Sequence, residues 1–143
     1  MKVQMKLLSG ATRPSKNYDH DAGYDLYTLE ETCVNPNWRQ KRTTNIRTGV
    51  HLALPNDIWG AILPRSSTIH RHHLQVVSAV VDPGFRGELF VQVISLSDDV
   101  IVVPKDTRLA QLVPHRVLQM DFEEVPELPQ SDRGNYGFGS SGR

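Results

Sequence analysis

Short runs of valine, isoleucine and leucine recur along this chain, and each is cut off by a proline, glycine or polar turn before a long helix could form. Val50-His51-Leu52-Ala53-Leu54 is a β-type run that ends at Pro55. Val76 to Val81 and Val100 to Val103 are further apolar runs with polar or proline borders. Glu88-Leu89-Phe90-Val91-Gln92-Val93-Ile94 places Leu89, Val91 and Val93 on one face of a strand, with Phe90 and Ile94 on the other. These runs have the pattern of strands buried on both faces. Turns are expected at Pro55-Asn56-Asp57, Asp82-Pro83-Gly84 and Pro104-Lys105-Asp106. Many short strands with frequent turns predict an all-β chain, a jelly-roll-like barrel or sandwich. One short helical turn is expected around Ser66 to His73.

Composition narrows the function classes. The 143 residues suffice for one domain with a real core. Lys plus Arg and Asp plus Glu both number 16, so the chain lacks the broad basic surface that duplex nucleic acid requires. No nucleic-acid partner is expected, although a few local cations suffice for a small anion. The single cysteine, Cys33, builds no disulfide framework. No apolar run approaches a membrane span, and Met1 to Gly10 does not have the form of a signal peptide. The expected setting is the cytoplasm, away from membranes.

The chain changes character near its end. Residues 1–122 are expected to form the β core, and 123–143 an extended arm. Pro126 and Pro129 stiffen the arm, and eight extended residues reach roughly 25 Å, far enough to lie on a neighbour. The stretch Arg133-Gly134-Asn135-Tyr136-Gly137-Phe138-Gly139-Ser140-Ser141-Gly142 suits phosphate. Its glycines let successive N–H groups face one concavity, and its serines and arginine add donors. Phe138 is placed to stack on something flat, such as a base. The ordinary alternative is a solvated tail.

Pro64-Arg65-Ser66-Ser67 is a second phosphate-suited cluster, and on spacing alone it equally describes a polar turn. Asp82, at the end of an apolar run, is placed to take a proton from water, or is simply a turn aspartate before Pro-Gly. Asp25 follows Ala22-Gly23-Tyr24. His70, His72 and His73 surround Arg71 without a second ligand cluster, which favours a solvated basic turn over zinc.

Taken in order, these clusters resemble the motifs of the dUTPase family. Ala22-Gly23-Tyr24-Asp25-Leu26 is similar to the first motif, Pro64 to Ser67 to the second, and Asp82-Pro83-Gly84-Phe85-Arg86-Gly87-Glu88 to the third. Arg108-Leu109-Ala110-Gln111-Leu112-Val113 resembles the fourth, and Arg133 to Gly142 the fifth. The resemblance implies a homotrimer with a swapped C-terminal arm and sites at subunit interfaces. It implies hydrolysis of dUTP to dUMP and pyrophosphate by water attack on the α-phosphate. That reaction keeps uracil out of DNA and supplies dUMP for dTMP synthesis.

Roles follow from the same resemblance. Asp82, Gln111 and Ser66 would be catalytic. Asp82 would hold the 3′-hydroxyl and orient or deprotonate the water, and Gln111 would position it or donate near the α-phosphate. Arg65, Ser66 and Ser67 would bind phosphates. Phe85 would pack on the deoxyribose, and Val76, Val80, Val81 and Phe90 would be further substrate-binding residues. Phe138 would stack on uracil, while Arg133, Gly139, Ser140 and Ser141 would grip the γ-phosphate. Magnesium would be held mainly by the triphosphate, with Asp25 contacting it through water. Phe85 stands where the family usually has Tyr, Ala79 where it has Gly, and Val76 where it has an Asn that reads uracil. Base recognition is therefore expected to fall on the backbone from Val80 to Asp82. The related dCTP deaminases would need a glutamate where Gln92 stands and an arginine where His70 stands. A regulatory protein partner is a further reading, with the basic segment 35–42 around Trp38 as its place.

Overall fold

A computed structural model describes residues 1–37, 43–131 and 134. Trp38 and its basic neighbours, and Arg133, Phe138, Gly139, Ser140 and Ser141, lie outside the described residues. Among the described residues ten strands are present: β1 (Gln4–Leu7), β2 (Tyr24–Tyr27), β3 (Thr32–Val34), β4 (Thr44–Ala53), β5 (Ile58–Pro64), β6 (Leu74–Val77), β7 (Ala79–Val81), β8 (Glu88–Ser95), β9 (Ile101–Val103) and β10 (Arg108–Arg116). One named short helix among the described residues, α1 (Thr68–His72), sits in the stretch expected to turn. The helix is too short and polar to cross a membrane.

The strands form two four-stranded antiparallel sheets, ordered β1-β4-β8-β6 and β2-β10-β5-β7, and a small β3-β9 pair. This is the expected jelly-roll-like, all-β architecture. The two sheets share one core. Leu26, Ile46, Val50, Leu74, Leu89, Val91, Val93 and Leu109 are fully enclosed in it.

Three features differ from the sequence expectation. The strands are not covered on both faces within the protomer. In β8, Leu89, Val91 and Val93 are buried while Phe90 stays exposed, and Val80 on β7 is 67% exposed. The run Val76 to Val81 is two strands in different sheets, broken at Ser78. Leu74 and Val76 point into the core, as does Val81, so inward parity changes from even to odd across the break. A side-chain period of two forbids that in one continuous strand. Finally, β4 begins six residues earlier than Val50, because the mostly polar stretch Thr44 to Arg47 pairs with Phe90 to Val93.

A bulge interrupts that last pairing. Arg47 faces Phe90 and His51 faces Glu88, so Thr48, Gly49 and Val50 stand opposite Leu89 alone. The two extra residues preserve parity, and Ile46, Thr48, Val50 and Leu52 all stay buried. Gly49 has φ +68°, the left-handed region where a Cβ is penalised. The Glu88 carboxylate accepts from Gly49 N–H at 2.8 Å and from Arg47 at 3.0 Å, so the bulge is tied to the start of β8. Burial opposes ionisation of Glu88, but hydrogen bonds from Arg47 and Gly49 and the Arg47 charge outweigh it and hold the carboxyl below its ordinary value.

Candidate active site

Strands β2, β10 and β5 lie side by side, and their register brings three of the sequence clusters together. Gln111 pairs with Asp25 on one side and with Leu63 on the other. The chain leaves β5 at Pro64, so Arg65 and Ser66 emerge beside both. Asp25 is buried, and its two oxygens face two guanidinium groups. Oδ1 meets Arg65 Nε at 2.7 Å, and Oδ2 meets Arg108 Nη1 at 3.3 Å. Arg65 also donates to the Arg108 carbonyl at 3.3 Å. The carboxylate thus fixes where one arginine points and compensates its charge.

Gln111 is oriented too. Its Nε2 donates to the Pro64 carbonyl at 3.1 Å. A carbonyl only accepts, so this contact assigns the amide and leaves Oε1 as an acceptor on the far side. That oxygen lies over Gly23, where a Cβ would collide with it and come within 2.9 Å of Gln111 Cβ and Cδ. Gly23 is buried and lies outside the left-handed φ region, so close approach of the glutamine is what excludes a side chain there.

Asn17, Asp21, Ala22, Gly23, Asp25, Arg65, Ser66 and Gln111 line an open pocket of about 210 Å³. A larger cavity, about 560 Å³, adjoins it across Arg65 and Ser66 and is walled by Ile69, Gln75, Val76 and Ser78. Val76 itself belongs to the core, as does Val81. Asp21 is a pocket residue that the sequence reading passed over. Its one signal was an acidic side chain four residues before Asp25. Its Oδ2 accepts from Tyr18 N–H at 2.9 Å, which shapes the loop. Ser67 precedes α1 and makes no side-chain cap to it. Arg71 and His70 are exposed, as expected of a basic turn, whereas His72 is partly enclosed. Burial first, then the charges of Arg71 and Arg65, push its imidazole below the ordinary 6.5.

The remaining residues sit elsewhere. Asp82 follows β7, and Phe85 closes the turn with its N–H on the Asp82 carbonyl at 3.0 Å. Val81 pairs with Gly60 as the last pair of that ladder, so extending it by one residue sets Asp82 at the level of Trp59, four positions from the Leu63 that faces Gln111. At about 3.3 Å per residue and 4.8 Å per strand, Asp82 and Gln111 lie about 16 Å apart along and across the sheet. Within one protomer, the carboxylate expected to act on water and the glutamine expected to position it do not meet. β7 is the last strand of its sheet, and among the described residues its outer backbone edge has no strand partner.

A sequence profile described as dUTPase matches residues 10–142. The chain belongs to the dUTPase family. It is 35% identical over 145 aligned positions to the deoxyuridine 5′-triphosphate nucleotidohydrolase of Clostridium novyi, covering 96% of this chain and 99% of that one. The mitochondrial enzyme of that name from Homo sapiens is 32% identical over 138 residues; these are 96% of this chain and 53% of the human protein, so the chain spans about half of that relative. A dUTPase of Staphylococcus bacteriophage 80alpha, solved with dUpNHpp, superposes with a TM-score of 0.88 at 25% identity over 99% of both chains. The activity of this family member is hydrolysis of dUTP, that of a dUTP diphosphatase.

Proposed function

We propose that this dUTPase works as a homotrimer in which each active site is shared between protomers. The observation that carries this reading is the sheet register. One end of the β2-β10-β5 face holds Asp25, Arg65, Ser66 and Gln111, while Asp82 follows β7 toward the other end, about 16 Å from Gln111 by strand geometry. No rotamer closes that gap. A neighbour's Asp82 hairpin reaching the pocket of the first protomer does. The exposed Val80 and Phe90 beside that hairpin, and the exposed Leu118, Met120 and Phe122 beyond β10, supply apolar surface for such an assembly.

In the assembled site, Arg65, Ser66 and Ser67 bind the phosphates of dUTP. Asp82 takes the 3′-hydroxyl and a proton from water. The water oxygen bonds to the α-phosphorus, and the bond to the bridging oxygen of the β-phosphate breaks, releasing pyrophosphate. Gln111 Oε1, the free acceptor of a pinned amide, orients that water. Positive charge held in place before the reaction is the arrangement that stabilises a leaving pyrophosphate. The backbone edge of Val80 to Asp82 reads uracil, Phe85 packs on the sugar, and the arm residues Arg133, Phe138, Gly139, Ser140 and Ser141 close over base and γ-phosphate.

Magnesium fits this donor set in one way. Both Asp25 oxygens are engaged by arginines, and among the described residues no three acidic, histidine or cysteine side chains converge. The pocket therefore suits an ion that arrives on the triphosphate and meets Asp25 and Asp21 through water. Bound there, magnesium neutralises phosphate charge. A free-nucleotide substrate supports a setting in the cytoplasmic nucleotide pool.

Subunit complementation tests the shared site. Asp82→Asn and Gln111→Ala homotrimers should each be nearly inert on dUTP. Unfolded together in equal amounts and refolded, they should recover roughly a quarter of wild-type turnover, because every mixed three-fold ring holds one site with both side chains intact. No recovery in verified mixed trimers would refute the reading.

A further inference from the structure

Phe85 is exposed at the tip of the β7-β8 hairpin, yet its ring is not loose. Its tip folds back over Gly87. A Cβ built on Gly87 would lie 2.6 Å from Phe85 Cζ, 3.0 Å from Cε2 and 3.4 Å from Cε1. Real carbons do not approach so closely, so any side chain at 87 evicts the ring. Gly87 is not in the left-handed φ region, so its backbone alone would accept alanine. Space for the ring is what requires glycine. The other groups around the ring are braced. Arg86 donates to the carbonyls of Pro83 at 2.6 Å and Phe85 at 2.8 Å, and the Arg86 carbonyl faces His51 Nδ1 at 3.0 Å. Glu88 is held by Arg47 and Gly49. With the backbone on both sides of Gly87 tied down, an added methyl group has to move the ring.

We propose that Gly87 is a specificity-determining positioning residue, which discriminates dUTP from UTP by seating the Phe85 ring. The inference rests on the reading that Phe85 packs on the deoxyribose. A ring fixed against Gly87 presents a wall of constant position to the 2′ carbon. A displaced ring leaves that wall undefined, and the hydroxyl of a ribonucleotide meets less resistance. Phe85 carries no polar group on its ring, so packing, here against Gly87, is what orients it.

The test is a cycle of Gly87→Ala, Phe85→Ala and the double variant, with kcat and KM measured for dUTP and UTP on trimers of verified mass and fold. Gly87→Ala should lower the dUTP-to-UTP ratio of kcat/KM by about tenfold or more, mainly through a gain in kcat/KM for UTP. In the Phe85→Ala background the same substitution should change the ratio by less than about twofold, because coupled sites are not additive. An unchanged ratio in Gly87→Ala, with a reduced ratio in Phe85→Ala, would overturn the seating role and leave the sugar contact standing. An unchanged ratio in Phe85→Ala would remove the sugar contact itself, and the proposal with it. Should Gly87→Ala fail to fold, the wild type still decides. Nuclear Overhauser contacts between labelled Phe85 ring protons and the Gly87 α-protons support the seat, and their absence refutes it.

Discussion

Replacing Asp25 with asparagine keeps the shape of the site and removes the charge that organises it. The carboxylate is only 12% exposed and serves two guanidinium groups at once. A hydrogen bond to a charged partner contributes about 1.5–3 kcal/mol, and the short contact to Arg65, itself mostly enclosed, belongs in that range. The Arg108 contact is longer, and its side chain is 43% exposed, so solvent screening reduces it to a few tenths. The amide still accepts from one arginine, but its NH2 turns a donor toward the other. The expected net cost is about 2–3 kcal/mol, below the 3–5 of a fully buried broken pair. Urea unfolding at fixed protomer concentration would report it as a midpoint lowered by about 0.7–3 M, given slopes of roughly 1–3 kcal/mol per M. Catalysis should fall further than stability alone accounts for. Arg65 is freed, and loss of a preset phosphate contact should lower kcat/KM for dUTP by about 10²-fold. A stability change under about 0.5 kcal/mol, with Arg65 still required for phosphate binding, would refute the claim that Asp25 holds that arginine in place.

Other substitutions probe different parts of the same argument. Gly23→Ala should displace Gln111 and cut kcat by at least about tenfold while leaving the fold intact; unchanged kcat would show that the glutamine tolerates the shift. Glu88, whose folded carboxyl lies below its ordinary 4.5, stabilises the fold fully above that value and loses the contribution as pH falls through the lower folded value. The difference in Tm between wild type and Glu88→Gln should therefore be constant near neutrality and shrink only below about pH 4.5. A difference that grows on acidification would have the wrong sign for this account.

The parts of this molecule that were legible in sequence are those governed by local chemistry. The alternation from Leu89 to Val93 marks β8, and the polar stretch after Pro64 holds α1. The ordered motifs name Asp25, Arg65 and Gln111, which pairing then brings into contact. What was not legible depends on which strand lies beside which. The break at Ser78 looks like an uninterrupted apolar run until each half is seen to join a different sheet. The bulge at Gly49 has no local signature beyond one glycine in a strand. The distance from Asp82 to Gln111 is fixed only by register across three strands. Gly23 and Gly87 stand inside recognisable motifs, but their reason for being glycine is a side chain that lies over each.

The switch at Ser78 has a consequence for how the chain survives before it assembles. β6 ends one sheet and β7 ends the other, so among the described residues two consecutive strands leave two edges without a strand partner at a single seam. Val80, on β7, is exposed beside it, and Phe90 is exposed on β8. Open edges with apolar side chains recruit other strands indiscriminately. A protomer newly released from synthesis or from denaturant carries this hazard until another surface covers the seam. Recovery from urea should accordingly be a contest between ordered association and aggregation, with the best yield at intermediate protein concentration rather than at high dilution.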